Sequence, residues 1–178
     1  MTFLSIVTRC YKRPEGLARN TASLARQTDR DFEQIFIIDE VGVGIPAANR
    51  SLANAEPVGD YVLVLDDDDI ISEPKAIEYL KEATADNPEI VIFKGDLEVL
   101  GILPSVAVWG KRPLKGQIAG CNFITRRDVW EKHVASYGAD EAGDYEYIKA
   151  LWWDKPAVVW LDRLLTATPN GRKWGAPE

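Results

Sequence analysis

The run from Tyr61 to Leu65 (YVLVL) limits the possible folds most, because it is apolar on both of its alternating faces. A strand of this kind must be covered on both sides of its sheet. Two further apolar runs precede it, Phe3 to Thr8 and Phe32 to Asp39, and prolines at Pro14 and Pro46 open a helix after each. This alternation predicts an α/β fold with a parallel sheet flanked by helices.

The pattern changes after a fourth predicted strand, Glu89 to Phe93. Short β-like runs broken by glycine and proline follow at Leu97 to Leu103, Val106 to Trp109 and Gln117 to Ile124. They indicate hairpins or a small mixed β region beside the parallel sheet. Ala157 to Leu161 is predicted to form the last strand.

Composition places the chain among globular proteins that hold a single domain. It has 178 residues and a net charge of −7, which argues against broad nonspecific binding to nucleic acid. No apolar run approaches the roughly 20 residues of a membrane helix, and the start of the chain lacks the pattern of a signal peptide. The only cysteines, Cys10 and Cys121, are expected to be free buried thiols. We therefore expect a cytoplasmic protein.

Four consecutive aspartates, Asp66 to Asp69, follow the buried strand directly. In an open parallel sheet, ligands bind beyond the carboxyl ends of the strands. Asp66 and Asp68 would project to similar sides, and two carboxylates on one side suit Mg²⁺ or Mn²⁺. The alternative is a solvated acidic turn that caps the following helix.

Several segments in order resemble the inverting glycosyltransferases of family 2, which have the GT-A fold. They are SIVTRCYKRPEGLARNTASLARQTDRDFE, the strand ending in Asp39, GIPAANRSLANA, LDDDD, and GCNFITRRDVWEKHVASYGADEAGDYEYIKAL. The resemblance covers residues 3 to about 151. It implies a GT-A type, Rossmann-like and mostly parallel sheet in one domain over residues 1–178. Within it, residues 1–95 would bind the nucleotide-sugar, residues 96–167 the acceptor, and residues 168–178 would form a flexible tail.

The resemblance also implies an activity. The chain would transfer a sugar from a nucleoside diphosphate sugar, a UDP-sugar by default, to an acceptor hydroxyl with inversion. Asp66 and Asp68 match the Asp-x-Asp motif that binds Mn²⁺ or Mg²⁺, and Asp144 matches the general base. The family's Glu-Asp pair is Gly143-Asp144 here, so Asp140 and Glu141 are alternative bases under a shifted alignment. Asp144 could instead be only a helix N-cap.

Six further residues are predicted to bind the nucleotide. Those after the first strand lie at the same sheet edge as the acidic cluster, where main-chain groups could hold the base and a tyrosine could stack on it. The others lie at the end of the second strand, at the next helix start and within the acidic motif. They are Thr8, Arg9, Tyr11, Asp39, Asn49 and Asp67.

The acceptor is not identified by the sequence, and a saccharide, a lipid, a protein or a modified nucleic-acid base would each fit. A homodimer is plausible, because the acceptor half is short. Trp109 and Trp174 are candidate acceptor contacts. A positive region could receive an anionic acceptor or could simply be a solvated face: Lys111, Arg112, Lys115, Arg126 and Arg127.

Three other classes of protein share some of these sequence features. Gly42, Gly44 and Ala47 form G-x-G-x-x-A between a strand and a helix, which is a weak dinucleotide-binding fingerprint. A sugar nucleotidyltransferase usually has a glycine-rich loop after its first strand, and TRCYKRP has no glycine. A non-catalytic metal- or sugar-binding domain would keep the acidic cluster without needing a base at Asp144.

Overall fold

The computed structural model describes residues 2–169. The first half alternates strands and helices as predicted: β1 (Leu4–Cys10), α1 (Pro14–Ala25), β2 (Phe32–Ile38), α2 (Ile45–Ser51) and β3 (Tyr61–Val64). Strand β1 lies between β2 and β3 and pairs with both in parallel. The carboxyl ends of these strands therefore meet at one edge of the sheet, which we call the acidic edge.

The second half is mixed, as predicted. Its elements are β4 (Ile70–Ile71), α3 (Ala76–Ala83), β5 (Ile90–Leu97), β6 (Gly101–Leu103), β7 (Phe123–Arg126), α4 (Arg127–His133), α5 (Gly143–Trp153) and β8 (Val158–Thr168). The sheet runs β2-β1-β3-β7-β5-β8-β4, and β6 pairs with β5. Strand β7 runs antiparallel between β3 and β5, while β8 runs parallel to β5.

Two predicted β runs and one predicted boundary differ from the structure. Residues 106–109 form turns, and the run from Gln117 becomes a strand only at Phe123, after a 3₁₀ turn at Gly120–Asn122. Strand β8 continues past the predicted Leu161 to Thr168, because it pairs with β5 through an irregular register and then with β4. Thr168 therefore belongs to the sheet, and Trp174 lies outside the described residues.

Alternate residues of β3 enter two different hydrophobic cores. Leu63 and Leu65 pack on one face of the sheet with residues of α1 and α3, whereas Val62 and Val64 pack on the other face with residues of α4 and α5. This arrangement confirms that the run at 61–65 is covered on both sides. Cys10 and Cys121 are buried and free, as predicted. No helix within residues 2–169 has the length and apolar character needed to cross a membrane.

Candidate active site

The acidic turn after β3 packs against the end of β1. The main-chain N–H of Asp67 donates to the carbonyl of Arg9 at 3.1 Å, which extends the parallel pairing beyond the strands. The side-chain amide of Asn20 donates to the carbonyls of Asp66 (2.9 Å) and Asp69 (3.0 Å) and holds the turn from α1. The four aspartates are thus fixed by neighbouring elements on two sides.

Arg9 forms a two-pronged ion pair with Asp66. Its Nε donates to Oδ1 at 2.7 Å and its Nη2 donates to Oδ2 at 2.6 Å, while Nη1 donates to the Asn49 side-chain oxygen. Burial would lower the pKa of Arg9, but the Asp66 carboxylate outweighs this and the pKa is raised. Asp66, a predicted metal ligand, therefore has a buried guanidinium as its partner.

Arg13 divides its contacts between the next two aspartates. Its Nη1 lies 3.1 Å from Asp67 Oδ1 and 2.7 Å from Asp68 Oδ2. The other oxygen of Asp67 accepts the main-chain N–H of Tyr11 at 2.8 Å. Asp67 was predicted to bind the nucleotide, but only 1% of it is exposed, and its carboxylate holds the loop after β1.

Asp69 joins the predicted ligands Asp66 and Asp68. One carboxylate oxygen from each of the three lies within 4.8 Å of the others. Asp69 was not among the predicted ligands, and its place in the run of aspartates is the only sequence signal that could have identified it. The hydroxyl of Thr168 donates to its carboxylate at 2.5 Å. Burial raises the pKa of Asp68 to about 6. The negative charge of Asp66 adds to this rise, and the positive charge of Arg13 opposes it. Hard oxygen donors in this arrangement suit Mg²⁺ or Mn²⁺.

Asp144 faces the same cavity as the acidic cluster. The helix N-cap is Ala142, so the alternative interpretation of Asp144 as an N-cap is wrong. Burial raises the pKa of Asp144 to about 6. The positive charge of Arg9 opposes this rise, and the negative charge of Asp66 adds to it. The main-chain N–H of Gly120 donates to the Asp144 carboxylate. The base role remains a prediction, and a raised carboxyl pKa is what a general base near neutral pH requires.

The cavity around these groups, the acidic cavity, has a volume of about 170 Å³. Its walls carry two arginines, four carboxylates and one amide: Arg9, Arg13, Asp66, Asp68, Glu141, Asp144 and Asn49. Of the alternative bases, Glu141 lines this cavity, whereas Asp140 contacts Lys115 at 3.3 Å.

A second cavity of about 280 Å³ adjoins the first, and we call it the Asp39 cavity. Arg9 and Ala48 line both cavities. The walls of the Asp39 cavity are more apolar and include Ile37, Ile38, Val41 and Val43. The two cavities are thus neighbours along the acidic edge, with Arg9 at their junction, and we call the pair the groove.

Asp39 organises the loop beside its cavity. Its Oδ1 accepts the N–H groups of Val41 (3.0 Å) and Gly42 (2.7 Å), and its Oδ2 accepts that of Val43 (2.9 Å). Although burial pushes the pKa of Asp39 up, these three donors bring it below its usual value. Two N–H groups of the G-x-G-x-x-A segment, those of Gly42 and Val43, are therefore already bonded to a carboxylate, which disfavours the dinucleotide alternative.

The remaining predicted nucleotide-binding side chains have different surroundings. Thr8 is fully buried, and its hydroxyl accepts a hydrogen bond from Gln34 at 2.9 Å. Its side chain is not among those that line either cavity. The Tyr11 hydroxyl lies over Gly42, where a Cβ atom would come within 2.3 Å of it. Tyr11 therefore rests against the loop that Asp39 organises.

Gly143 accounts for the departure from the Glu-Asp pair of the resembling family. A Cβ atom at this position would lie 2.6 Å from the side-chain nitrogen of Asn49 and 2.7 Å from the carbonyl of Tyr137. No glutamate side chain fits at the start of α5 unless both Asn49 and the main chain at Tyr137 move. This close packing brings Asp144 next to Asn49 of α2, which accepts a hydrogen bond from Arg9.

The predicted positive region is not one surface. Arg126 lies opposite Tyr61 at the start of β3, so Arg126 and Arg127 are at the other edge of the sheet from the acidic cavity. This separation arises because β7 runs antiparallel to β3, so the end of β7 lies beside the start of β3. Trp109 packs edge-on against Trp160, with ring centroids 5.0 Å apart.

Comparison with known proteins supports the fold. No protein-family model matches the sequence, and no similar sequence is found among curated proteins. Among solved structures, S. aureus TarS 1-349 in complex with UDP superposes with a TM-score of 0.74 and 11% identity, over 93% of this chain and 60% of TarS 1-349. The complex of TarS 1-349 with UDP-GlcNAc gives a TM-score of 0.66 and 14% identity, over 93% of this chain and 58% of that one.

A second similar structure is the mannosyltransferase PcManGT from Pyrobaculum calidifontis in complex with GDP-Man and Mn²⁺. Its TM-score is 0.68 with 10% identity, over 96% of this chain and 58% of PcManGT. The chain thus spans about 60% of the length of TarS 1-349 and about 58% of PcManGT. These likenesses confirm the fold that the sequence predicted: the chain has a GT-A-like α/β fold.

Proposed function

We propose that this chain is a divalent-metal-dependent glycosyltransferase. It takes a sugar from a nucleoside diphosphate sugar, with a UDP-sugar as the first candidate, and transfers it to an acceptor hydroxyl with inversion. The observation that carries the proposal is the position of Asp144, whose partly desolvated carboxylate faces the same cavity as the acidic cluster.

The groove along the acidic edge supports the donor assignment. A nucleoside would occupy the Asp39 cavity, and the sugar would reach the acidic cavity, so the diphosphate would pass Arg9 at their junction. TarS 1-349 was solved with UDP and with UDP-GlcNAc, and PcManGT with GDP-Man. All three ligands contain a nucleoside diphosphate. The predicted nucleotide-binding role of Asp39 and Asn49 belongs to this proposal.

The acidic cluster supports the metal assignment. Asp66, Asp68 and Asp69 would hold Mn²⁺ or Mg²⁺, since their carboxylate oxygens are close enough to share one ion. When bound, such an ion supplies positive charge that steadies the leaving diphosphate. Mn²⁺ is present in the complex of PcManGT.

On the acceptor side, Asp144 would accept the proton of the attacking hydroxyl. A general base must lie within about 3 Å of that hydroxyl in the reacting complex. A pKa of about 6 leaves the carboxylate ionised at pH 7 yet makes it a stronger base than an exposed aspartate. With one base and a direct attack on the anomeric carbon, the sugar would be transferred with inversion. The acceptor's identity, the homodimer, the cytoplasmic location and the two binding halves stay predictions.

A thermal-shift screen tests the proposal. UDP, GDP, dTDP, CDP and NAD are each added with and without Mn²⁺, and we expect one nucleoside diphosphate to raise the melting temperature most when Mn²⁺ is present. A ligand at 100 times its Kd stabilises a protein by about 2.7 kcal/mol, which such a screen resolves.

The matched variants for this screen are Asp68→Asn in the acidic cavity and Asp128→Asn at the other edge. The first should abolish the Mn²⁺-dependent part of the shift, and the second should keep it, because Asp128 pairs with Arg126 away from the site. Stabilisation by NAD alone would support the dinucleotide alternative. Stabilisation by Mn²⁺ without any effect of nucleotides would support a metal-binding domain.

A further inference from the structure

Arg9 holds both carboxylate oxygens of Asp66, at 2.7 and 2.6 Å. We propose that Arg9 couples metal binding to nucleotide binding, because it keeps Asp66 from the ion until a diphosphate takes over its positive charge. This inference rests on the proposed function for its nucleotide part, and its metal part is tested separately.

Competition for Asp66 follows from the geometry of the ion pair. A cation held by Asp66 needs at least one of its oxygens, and each oxygen already accepts a hydrogen bond from the guanidinium. Paired N–H donors in this arrangement are among the stronger contacts of a carboxylate. Asn49 accepts from the third nitrogen of Arg9 and keeps the guanidinium in place. An ion that binds Asp66 must therefore either displace Arg9 or use a remaining lone pair beside the positive charge of the guanidinium, and in both cases Arg9 opposes it.

Charge acts in the same direction. Arg9 is 7% exposed, and its positive charge lies in the wall of a small cavity shared with four carboxylates. In such a site the attraction between charges is stronger than in bulk water. Removing the positive charge would make the cavity more negative, so the cluster would attract a divalent cation more strongly.

The position of Arg9 links this competition to the nucleotide. Arg9 lines both the Asp39 cavity and the acidic cavity, so a diphosphate that spans the two would lie beside its guanidinium. The diphosphate oxygens offer Arg9 a second anionic partner. Asp66 then becomes available to the ion, and each ligand strengthens the binding of the other by the same factor.

The test measures Mn²⁺ binding to the full chain by isothermal titration and by electron paramagnetic resonance of free Mn²⁺. The first arm contains no nucleotide and compares the wild type with Arg9→Gln and with Arg127→Gln. Arg127 contacts the carbonyl of Val58 at the other edge, so this control removes the same charge far from the cluster. We expect Arg9→Gln to raise the Mn²⁺ affinity roughly tenfold and Arg127→Gln to leave it unchanged.

The second arm repeats the titrations with saturating UDP or GDP. We expect the nucleotide to raise the Mn²⁺ affinity of the wild type roughly tenfold and that of Arg9→Gln far less. Arg9→Lys, which keeps the charge but cannot grip both oxygens, should give intermediate metal affinity without nucleotide. It also serves as the deciding variant if circular dichroism shows that Arg9→Gln is unfolded.

A Mn²⁺ affinity of Arg9→Gln equal to or below that of the wild type would overturn the competition. If Arg9→Gln is unfolded, a wild-type affinity in Arg9→Lys would do the same. Equal nucleotide effects in the wild type and the folded variant would overturn the coupling. If none of UDP, GDP, dTDP and CDP binds the wild type in any condition, the proposed function fails and the coupling with it, while the metal-only arm still decides whether Arg9 and Mn²⁺ compete.

Discussion

The two edges of the sheet each have a cavity lined by charged side chains, but they hold these side chains in opposite ways. The cavity at the edge away from the acidic cluster has a volume of about 520 Å³, and its walls include Asp60, Arg126, Arg127 and Asp128. There Arg126 grips Asp128 at the surface, and this contact lowers the pKa of the aspartate. At the acidic edge the cavity is smaller, and burial raises the pKa of Asp68 and Asp144 to about 6.

The acidic cavity is therefore the candidate site because of the state of its carboxylates and not because of its volume. Carboxylates that are exposed and paired have low pKa values and add little beyond local stability. Carboxylates that are desolvated next to one another are costly to keep, and such costs concentrate where proteins bind ligands or catalyse reactions. The predictions below test whether the two edges differ in this way.

The largest expected effect is on sugar transfer by Asp144→Asn. Loss of a general base slows reactions by roughly 100- to 10,000-fold, and the amide cannot accept the acceptor's proton. The measurement is the rate of donor turnover with the nucleotide and metal found by the thermal screen. Asp128→Asn, the matched change at the other edge, should keep the wild-type rate. Equal rates for Asp144→Asn and the wild type would remove Asp144 from the mechanism and favour Glu141.

The next effect is on stability, through Asp67→Ala. This change leaves the Tyr11 N–H and one contact of Arg13 without their buried partner, and we expect a loss of about 3 kcal/mol in the free energy of unfolding. Urea denaturation measures it. Asp128→Ala removes an exposed partner of Arg126 and should cost less than about 1 kcal/mol. Similar losses for the two variants would contradict the contrast between the edges.

The smallest effect is the pH dependence of Asp144→Asn stability, measured without metal. Because the folded pKa of Asp144 is raised to about 6, folding favours its protonated form. The stability this provides is complete below about pH 4 and is lost as the pH rises through 6. The variant keeps a neutral side chain, so at pH 7.5 it should exceed the wild type by about 2 kcal/mol, allowing for partial solvent screening, and match it near pH 4.

A stability difference that does not change between pH 4 and pH 7.5 would contradict the desolvation of Asp144. The control variant Asp128→Asn should change stability in the opposite direction. The pKa of Asp128 is lowered by Arg126, so its negative charge stabilises the fold above that pKa. At pH 7.5 this control should be slightly less stable than the wild type.

Local sequence patterns predicted much of the fold. The alternation of apolar runs and proline-led helices placed β1, β2 and β3 correctly, because each is an apolar run bounded by polar residues, although only β1 and β3 are buried throughout. The length of β8 could not be predicted, since residues 162–164 are exposed and the strand continues only because its pairing with β5 resumes at Leu164, after a shift in register. The insertion of β7 between β3 and β5 is likewise a property of the whole sheet.

In the candidate site, the residue types were predictable but their partners were not. The aspartates drew attention through their repetition, whereas Arg9 and Asp66 are 57 positions apart and meet only because β1 and β3 pair in parallel. Thr168 reaches Asp69 across 99 positions through the long β8. Such contacts depend on strand order, which the sequence pattern of each strand does not contain.

Gly143 has a consequence for the evolution and engineering of this chain. Because even a methyl group there would strike Asn49, any substitution would push on the side chain that holds Arg9. A residue with no chemistry of its own therefore limits which sequences can keep the groove intact. In a saturation library of this chain, we expect position 143 to accept as few replacements as the aspartates themselves.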